Sequence, residues 1–566
     1  MVALQKTPKH LADWRKERIF ARTMVSRPAR EQQVGGKREI GTLVLLTVAT
    51  WSISFLLLQW LVPYQLFARE QQMLFLMDGE WLNRSLLNAS SHLPKLGWAV
   101  RLAGDFFTQF YYYIGGGATV LSTVLALLSL TAYRLFRSWI GRRWALLPTA
   151  LIFGWELLRE MSVGYELAST LWLWGLLVVG RIVTACVHRR GRPARVWLAT
   201  LSIALLLWGM GLPTGKLWGW PNEQMEWLTA MDVEASRGQW DKVRRLAAQD
   251  RHSTIGSYYY NLSNAVHGEL ADRLLVYYQP FEQGLFLPVD EHQSQMGFQA
   301  SGEVWYRLGE GTMAEHSTIL AMIFSPHQTG SRFLRRLAEI NRANGDEEAA
   351  AKYLAMLSKS LVHHRWAMAM TKNAVSDPTP VERLASDAGK GSMTADRPWT
   401  IVHTADDVRT ALRRLLVDHP DRLMARDYLL AYDLLIKDLE AFMMDYEAHP
   451  VEARIYQEAL LVWLTQQGQM DADHLAHYAL PMNVLASFDE YNKAYTMATA
   501  EGLTPQEQQR KLTELQLQFG HTYWFWLHFA TRQGDMPSFS PGWRADTADD
   551  AMSPAIALDA CSTTTP

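Results

Sequence analysis

The sequence predicts an all-α protein in two parts, a multi-span transmembrane helical block followed by an α-helical repeat domain. Three observations predict it. Residues 41–213 hold long apolar runs with few charges, residues 214–566 read as polar sequence with helical apolar spacing, and in that second part glycines recur at the ends of helices. Averaged over 566 residues the chain looks ordinary, at 49% apolar, 20% charged and net charge −2, because the average mixes the two parts. Two cysteines, 36 glycines without a period and 11% aromatics exclude disulfide-framework, collagen-like and wholly disordered chains. Cys186 ends an apolar span and Cys561 lies in the tail, so no disulfide between them is expected.

Residues 1–40 form a basic cytoplasmic arm, with ten Lys/Arg against four acids. The first apolar segment, 41–63 (GTLVLLTVATWSISFLLLQWLVP), is long enough at 1.5 Å per residue to cross a hydrocarbon core of about 30 Å. It reads as a signal anchor: it exceeds the length of a cleavable apolar region and no small-x-small site follows it. Four further spans are expected at 112–133, 144–158, 163–187 and 196–213, the third being short. Loop charges support five spans. Arg134, Arg137, Arg142 and Arg143 fall in one loop and Arg189, Arg190, Arg192 and Arg195 in another, both without acids, whereas residues 64–111 balance four bases with four acids. With five spans both basic loops lie on the side of the basic arm, which places the N-terminus in the cytoplasm and the C-terminal domain outside it. Trp60, Trp139, Trp144, Trp197, Trp218 and Trp220 cluster at the proposed span ends, as amphipathic rings do.

Ionisable residues at membrane depth are functional candidates. Glu156 and Arg159 are three apart near the outer end of the third span, and Glu160 and Glu166 flank the turn into the fourth. They read either as an interfacial ion pair whose side chains snorkel to water or as a polar pocket at the outer face. Gly115-Gly116-Gly117 serves either close helix approach or a loop before the second span.

The repeat signal lies in residues 214–372. In RFLRRLAEINRANGDEEAAAKYLAML (332–357), Gly345 takes the turn position of a tetratricopeptide (TPR) hairpin, and Ala338 and Ala350 take the small positions where its helices cross. The preceding unit matches at Gly309, Ala314 and Ala321, with 36 residues from Gly309 to Gly345 against a 34-residue TPR period. Gly238 and Gly268 mark earlier, more degenerate members; a helical bundle with glycine turns is the alternative. Residues 373–400 are rich in Pro, Asp, Ser and Gly and read as a linker. Helical spacing resumes over 401–533, in 406–419, 421–446, 452–468, 504–520 and 521–530, and residues 534–566 are an expected disordered tail.

No nucleotide or metal motif is present, and no cofactor is expected. Gly389-Lys390-Gly391-Ser392 lacks phosphate-loop spacing, and His363-His364 and His474 with His477 have no third and fourth ligands at a known spacing. The region 214–566 carries 31 Lys/Arg against 46 Asp/Glu, which argues against nucleic-acid binding. Asn83, Asn88 and Asn261 begin Asn-x-Ser sequons.

Four blocks together resemble one family: EQQMLF (70–75), DFFTQFYYY (105–113), the repeat at 332–357 and YLLAYDLLIKDLEAF (428–442). It is an uncharacterised domain-of-unknown-function family of polytopic inner-membrane proteins from Gram-negative anaerobes of gut and mouth, and the likeness covers about residues 40–530. It implies a bacterial inner membrane with the C-terminal half in the periplasm, and brings no activity or site residues.

Two functions follow from the residues. The first is a membrane-anchored scaffold, held in the lipid bilayer by its spans, whose repeat groove binds an envelope protein or peptide. The alternative is a membrane enzyme, a glycosyl or other group transferase acting on a lipid-linked substrate at the outer face. Its candidate acids are Asp78, Glu80 and Asp105 in the first outer loop, and convergence with Glu156 and Glu166 would favour it. A transporter is a third, weaker reading.

Overall fold

A computed structural model describes residues 39–79, 97–188, 219–249, 253–288, 293–372 and 405–531. Among these every regular element is a helix, and the chain divides into two compact units. The first is drawn from residues 1–63 and 84–222, the second from 64–83 and 223–566. The second therefore takes in the segment that follows the first apolar helix.

In the first unit, α1 (Glu39–Leu61), α4 (Gly116–Ile140) and α6 (Leu167–His188) are long and apolar enough to cross a membrane. α3 (Trp98–Thr108) precedes α4, and α5 (Leu146–Glu160) lies between α4 and α6. Small and hydroxyl side chains are buried between these helices alongside leucines such as Leu58, Leu121, Leu125 and Leu128. Ser54, Ser122, Ser129 and Ala132 are fully buried, and Trp51 and Trp174 donate indole N–H groups to Thr123 and Thr131. A Cβ on Gly104 of α3 would stand 3.0 Å from Ala168 of α6, so those two backbones are in near contact.

Several expected boundaries move. The span expected at 112–133 is a helix over 116–140, because its start is fixed by the turn before it. Gly115 has φ 72°, and a Cβ on Gly116 would lie 2.0 Å from the Phe110 carbonyl oxygen, so the glycine run is a turn and a close approach at once. The short third span is a 15-residue helix, and the helix expected over 163–187 begins at Leu167. The fifth expected span, 196–213, lies outside the described residues, as do the N-terminal arm, the linker 373–400 and the tail.

The second unit is built of helical hairpins. α2 (Pro63–Gln71) leads in. α7 (Glu223–Ser236) pairs with α8 (Trp240–Ala247), α9 (Thr254–Val266) with α10 (Leu270–Arg273), α11 (Gln295–Leu308) with α12 (Gly311–Ile323), and α13 (Ser331–Ala343) with α14 (Glu347–Leu357), before α15 (His364–Thr371). Each of the four hairpins turns in the same way. The N–H groups of Gln239, Glu269, Glu310 and Asp346 return to the carbonyls of Glu234, Asn264, Trp305 and Asn341. The residue before each donor is a glycine with φ between 71° and 85°: Gly238, Gly268, Gly309 and Gly345. These are Schellman turns, which satisfy the last helical carbonyls and need a left-handed residue. Ala314, Ala321, Ala338 and Ala350 are fully buried, as expected of the small positions.

After the linker come α16 (Ala405–Asp418), α17 (Leu423–Leu435), α18 (Leu439–Ala448), α19 (Arg454–Gln467), α20 (Ala472–His477), α21 (Met482–Ala498), α22 (Pro505–Phe519) and α23 (Tyr523–Phe529). The periodic stretch 421–446 is two helices, broken at Lys437, whose φ is 64°. α22 starts with the capping box Thr504/Glu507. One aromatic core joins both sets of hairpins, with Trp305, Trp524 and Trp526 buried in it.

Candidate functional site

The segment 64–78 is bound into the second unit along its whole length. The backbone N–H groups of Tyr64 and Gln65, at the start of α2, donate to the two carboxylate oxygens of Glu226 at 2.7 and 3.0 Å. A carboxylate there answers the partial positive charge of a helix N-terminus, while burial pushes the Glu226 carboxyl up to about 7. Tyr64 donates to Glu234 at 2.9 Å, and the Arg237 guanidinium lies 4.2 Å over the Phe67 ring.

One turn on, Glu70 is buried at the meeting point of three elements. Its Oε1 accepts from Ser331 Oγ at 3.1 Å and stands 2.7 Å from His363 Nε2. The chain then runs extended. Ser331 N donates to the Met73 carbonyl, and Met77 N donates to the carbonyl of Lys359. Leu74 and Leu76, two apart and hence on one face of an extended strand, fill an apolar channel formed by Leu334, Ala338, Leu354, Leu357, Ala367 and Met370. Asp78 closes the segment with an ion pair to Lys359 at 2.7 Å. This strap is held by main-chain bonds and by the burial of Met73, Leu74, Phe75 and Leu76, the way a bound peptide would be.

Beside the strap, Asp232 of α7 gathers all four leading helices. It accepts from Tyr259 of α9 at 2.7 Å, from Gln299 of α11 at 2.7 Å and from both terminal nitrogens of Arg332 on α13. Burial, together with the Asp232 carboxylate, pushes the Tyr259 hydroxyl far above its ordinary range. Glu303 of α11 receives Arg307 at 2.9 Å and Arg336 at 2.5 Å. Burial works to raise the Glu303 carboxyl, but the Arg336 and Arg307 guanidinium groups hold it below its usual value.

The first unit holds a second polar cluster. Glu156, Arg159 and Glu160 on α5 are 0–2% exposed, so the Glu156–Arg159 ion pair is formed but is buried and does not snorkel. The reason is the return of the chain, which brings Tyr165 and Thr170 over them. Arg159 Nη1 donates to Glu156 Oε2 at 3.1 Å, Tyr165 to Glu156 Oε1 at 2.6 Å, and Thr170 Oγ1 lies 2.6 Å from Glu156 Oε1 and 2.5 Å from Glu160 Oε1. The guanidinium is clamped between the rings of Trp155 and Tyr165, 4.4 Å from each.

Of the five candidate acids, four lie among the described residues. Asp78 belongs to the second unit and is engaged by Lys359; Asp105, Glu156 and Glu166 belong to the first. Asp105 lies on α3, Glu166 sits just before α6 with its carbonyl accepting Ser169 N–H, and Glu80 is outside the described residues. Glu156 enters a dense cluster, and its partners Tyr165 and Thr170 carry no sequence signal beyond their place after the turn. The histidine pairs separate. His363 is buried on Glu70, while His474 bonds Asp471 at the exposed start of α20. Among the described residues no group of three or more His, Cys, Asp or Glu is placed to hold a metal ion. Asn261, a sequon asparagine, is buried with Nδ2 donating to Gln279 and Gly284. Asn83, Asn88 and Gly389–Ser392 fall outside the described residues.

Among the described residues these features define an all-helical protein with three helices fit to cross a membrane and a separate unit of stacked hairpins. The chain belongs to a family of unknown function, DUF6057, which matches residues 38–217 and 212–530. No curated protein and no solved structure matches it.

Proposed function

We propose that this is a multi-pass protein of a bacterial inner membrane that presents a TPR-like scaffold domain on the periplasmic side. One observation carries the reading: the strap. Residues 64–78 follow directly on the first apolar helix, and residues 223–530 follow the rest of the membrane block, yet both are parts of one folded unit. Two segments packed into one body lie on one side of the bilayer, so the chain between them crosses an even number of times. Five spans in all satisfy this parity, and the basic arm sets the N-terminus inside.

The hairpin turns shared by α7–α14 support a TPR-like stack. Leu74 and Leu76 already occupy the apolar channel of α13–α15, so the partner surface we favour is on the later hairpins. There Met444, Met482, Met497 and Leu517 are exposed, adaptable side chains of the kind found at binding surfaces. The partner is an envelope protein or peptide.

The test is a cysteine series made after replacing Cys186 and Cys561. In cells with a permeabilised outer membrane, Met482→Cys should react with an impermeant maleimide and Lys6→Cys should not. Labelling of Met482→Cys only after lysis rejects the topology. Photo-crosslinkers at positions 444, 482, 497 and 517 should capture a recurring envelope protein, and four empty positions reject the scaffold.

A further inference from the structure

We propose that the strap edge of the second unit lies on the bilayer surface, with Met77, Ile323, Phe324 and Leu361 seated in the headgroup layer of an anionic phospholipid membrane. Hairpin ends define this edge. The strap bonds the first turn of α7 through Glu226, the start of α13 through Ser331 and the segment after α14 through Lys359. Each of these points lies at the end of its hairpin away from the glycine turn, Gly238 or Gly345. The α11–α12 hairpin presents the same end. Gln299 and Arg332 both reach Asp232, and Glu303 pairs with Arg336 one turn further on, so α11 and α13 run parallel. The loop 324–330 therefore meets the strap, and a Cβ on Gly330 would stand 2.6 Å from the Gln71 carbonyl oxygen.

Both chain connections to the membrane block leave from this edge. Tyr64, whose N–H donates to Glu226, is three residues beyond Leu61 at the end of α1, and α7 begins at Glu223 where the chain returns. Three residues reach at most about 10 Å. On the membrane reading proposed above, on which this inference rests, the edge thus starts within about 10 Å of the hydrocarbon, at headgroup depth.

Two properties of the edge suit lipid. Its exposed side chains are large and apolar, with Met77 62%, Ile323 50%, Phe324 53% and Leu361 47% exposed. Phe324 stacks on Phe298 at 5.3 Å, which holds the ring in place while half of the residue stays open. The six residues from Gln71 to Met77, at about 3.3 Å each, set the two ends of this row about 20 Å apart, a line suited to a flat surface. The second property is charge. Loops 324–330 and 358–363 contain no acid, although residues 214–566 carry 31 Lys/Arg against 46 Asp/Glu, and Asp78 at the end of the strap is paired with Lys359. The opposite edge is acidic: each glycine turn is followed within three residues by an acid, namely Asp241, Glu269, Glu310 and Asp346. An anionic surface repels that edge and admits the other, whose apolar side chains settle at the acyl boundary as those of interfacial segments do.

Depth-dependent quenching tests this in the full chain, in nanodiscs of phosphatidylcholine and phosphatidylglycerol, after replacement of Cys186 and Cys561. Met77→Cys, Phe324→Cys and Leu361→Cys are compared with Glu347→Cys beside an acidic turn and with Leu45→Cys on α1, each carrying a small fluorophore. The substituted positions are exposed, so melting temperatures should match the parent, and three independent positions keep the test decisive if one variant fails to fold. Lipids bearing a headgroup nitroxide should quench positions 77, 324 and 361 at least twofold more than position 347, and an acyl-chain nitroxide should quench position 45. Equal quenching at 77, 324, 361 and 347, with position 45 quenched, overturns the proposal and leaves the membrane reading standing. Labels shielded from iodide yet untouched by nitroxide lipids also overturn it, because a protein then covers the edge. An unquenched label at position 45 overturns the membrane reading and the proposal with it.

Discussion

Asp232 and Arg332 are joined through both carboxylate oxygens and both terminal guanidinium nitrogens, across 100 residues of sequence. The pair is nearly dry, with side chains 3% and 11% exposed. Asp232→Ala leaves a buried guanidinium unpaired and should cost about 3–5 kcal/mol in denaturant unfolding of the detergent-solubilised protein. The double variant Asp232→Ala/Arg332→Met should lose less than the sum of the single losses, because it removes both charges. Additive losses would show that the two residues do not act as a pair.

Lys437 takes the place that glycine holds in the other hairpins, at φ 64°, and its ammonium donates to the carbonyls of Leu527 and Ala530 at 2.8 and 2.5 Å. Lys437→Gly relieves about 1 kcal/mol of left-handed strain while losing both bonds, so its stability should fall near wild type. Lys437→Ala loses the bonds and keeps the strain, and should be less stable than Lys437→Gly by about 1 kcal/mol. Equal melting temperatures for the two variants contradict this.

Gly345 and Gly309 share a backbone conformation but differ in their surroundings. A Cβ at Gly345 meets nothing within 4 Å, so Gly345→Ala should cost about 1 kcal/mol, from conformation alone. At Gly309 the same carbon would lie 2.3 Å from Arg422 Nη1, which bonds the carbonyls of Leu308 and Gly309. Gly309→Ala should therefore cost about 2–3 kcal/mol, and urea titrations should rank the two.

Asp433 gives the second unit a pH dependence. Burial, and then the neighbouring Asp445, push its carboxyl up to about 8, against the pull of Arg409. The unfolded chain titrates this group near about 3.9. A folded-state value above the unfolded one means the contribution is whole below about 4 and is lost as pH rises towards 8. Asp433→Asn should flatten the stability profile over that interval and be more stable than wild type at pH 9. A parallel decline in both proteins would assign the effect elsewhere.

Leu74→Ala and Leu76→Ala each open a cavity in the channel of α13–α15 and should cost about 2–5 kcal/mol. Loss of the strap should appear as a new protease-sensitive site between residues 64 and 83. If limited proteolysis cuts wild type and variants alike there, the strap is not the anchor.

The parts of this fold legible in the sequence are those with a local cause. The turn glycines at 238, 268, 309 and 345 could be placed because a left-handed residue has few substitutes, and the buried alanines follow from them by spacing. Lys437 escaped that rule, and so the break in 421–446 did too. The strap was illegible for a different reason: its partners Ser331, Lys359 and His363 lie 261 to 293 residues away from the groups they bond, and nothing near 64–78 announces them. Glu156 and Arg159 were visible as a helical pair, but their burial depends on Thr170 and Tyr165, which only the turn after α5 brings near.

The strap also fixes an order of assembly. It leaves the ribosome before the helices that separate it from its partners, and Ser331 and His363 follow Glu70 by 261 and 293 residues. At about 5–20 residues per second, Met73 to Leu76 wait on the order of tens of seconds for the channel that will bury them. During synthesis the domain's final closure thus waits on the intervening helices, and a nascent chain stalled within them holds an apolar segment open to chaperones and proteases.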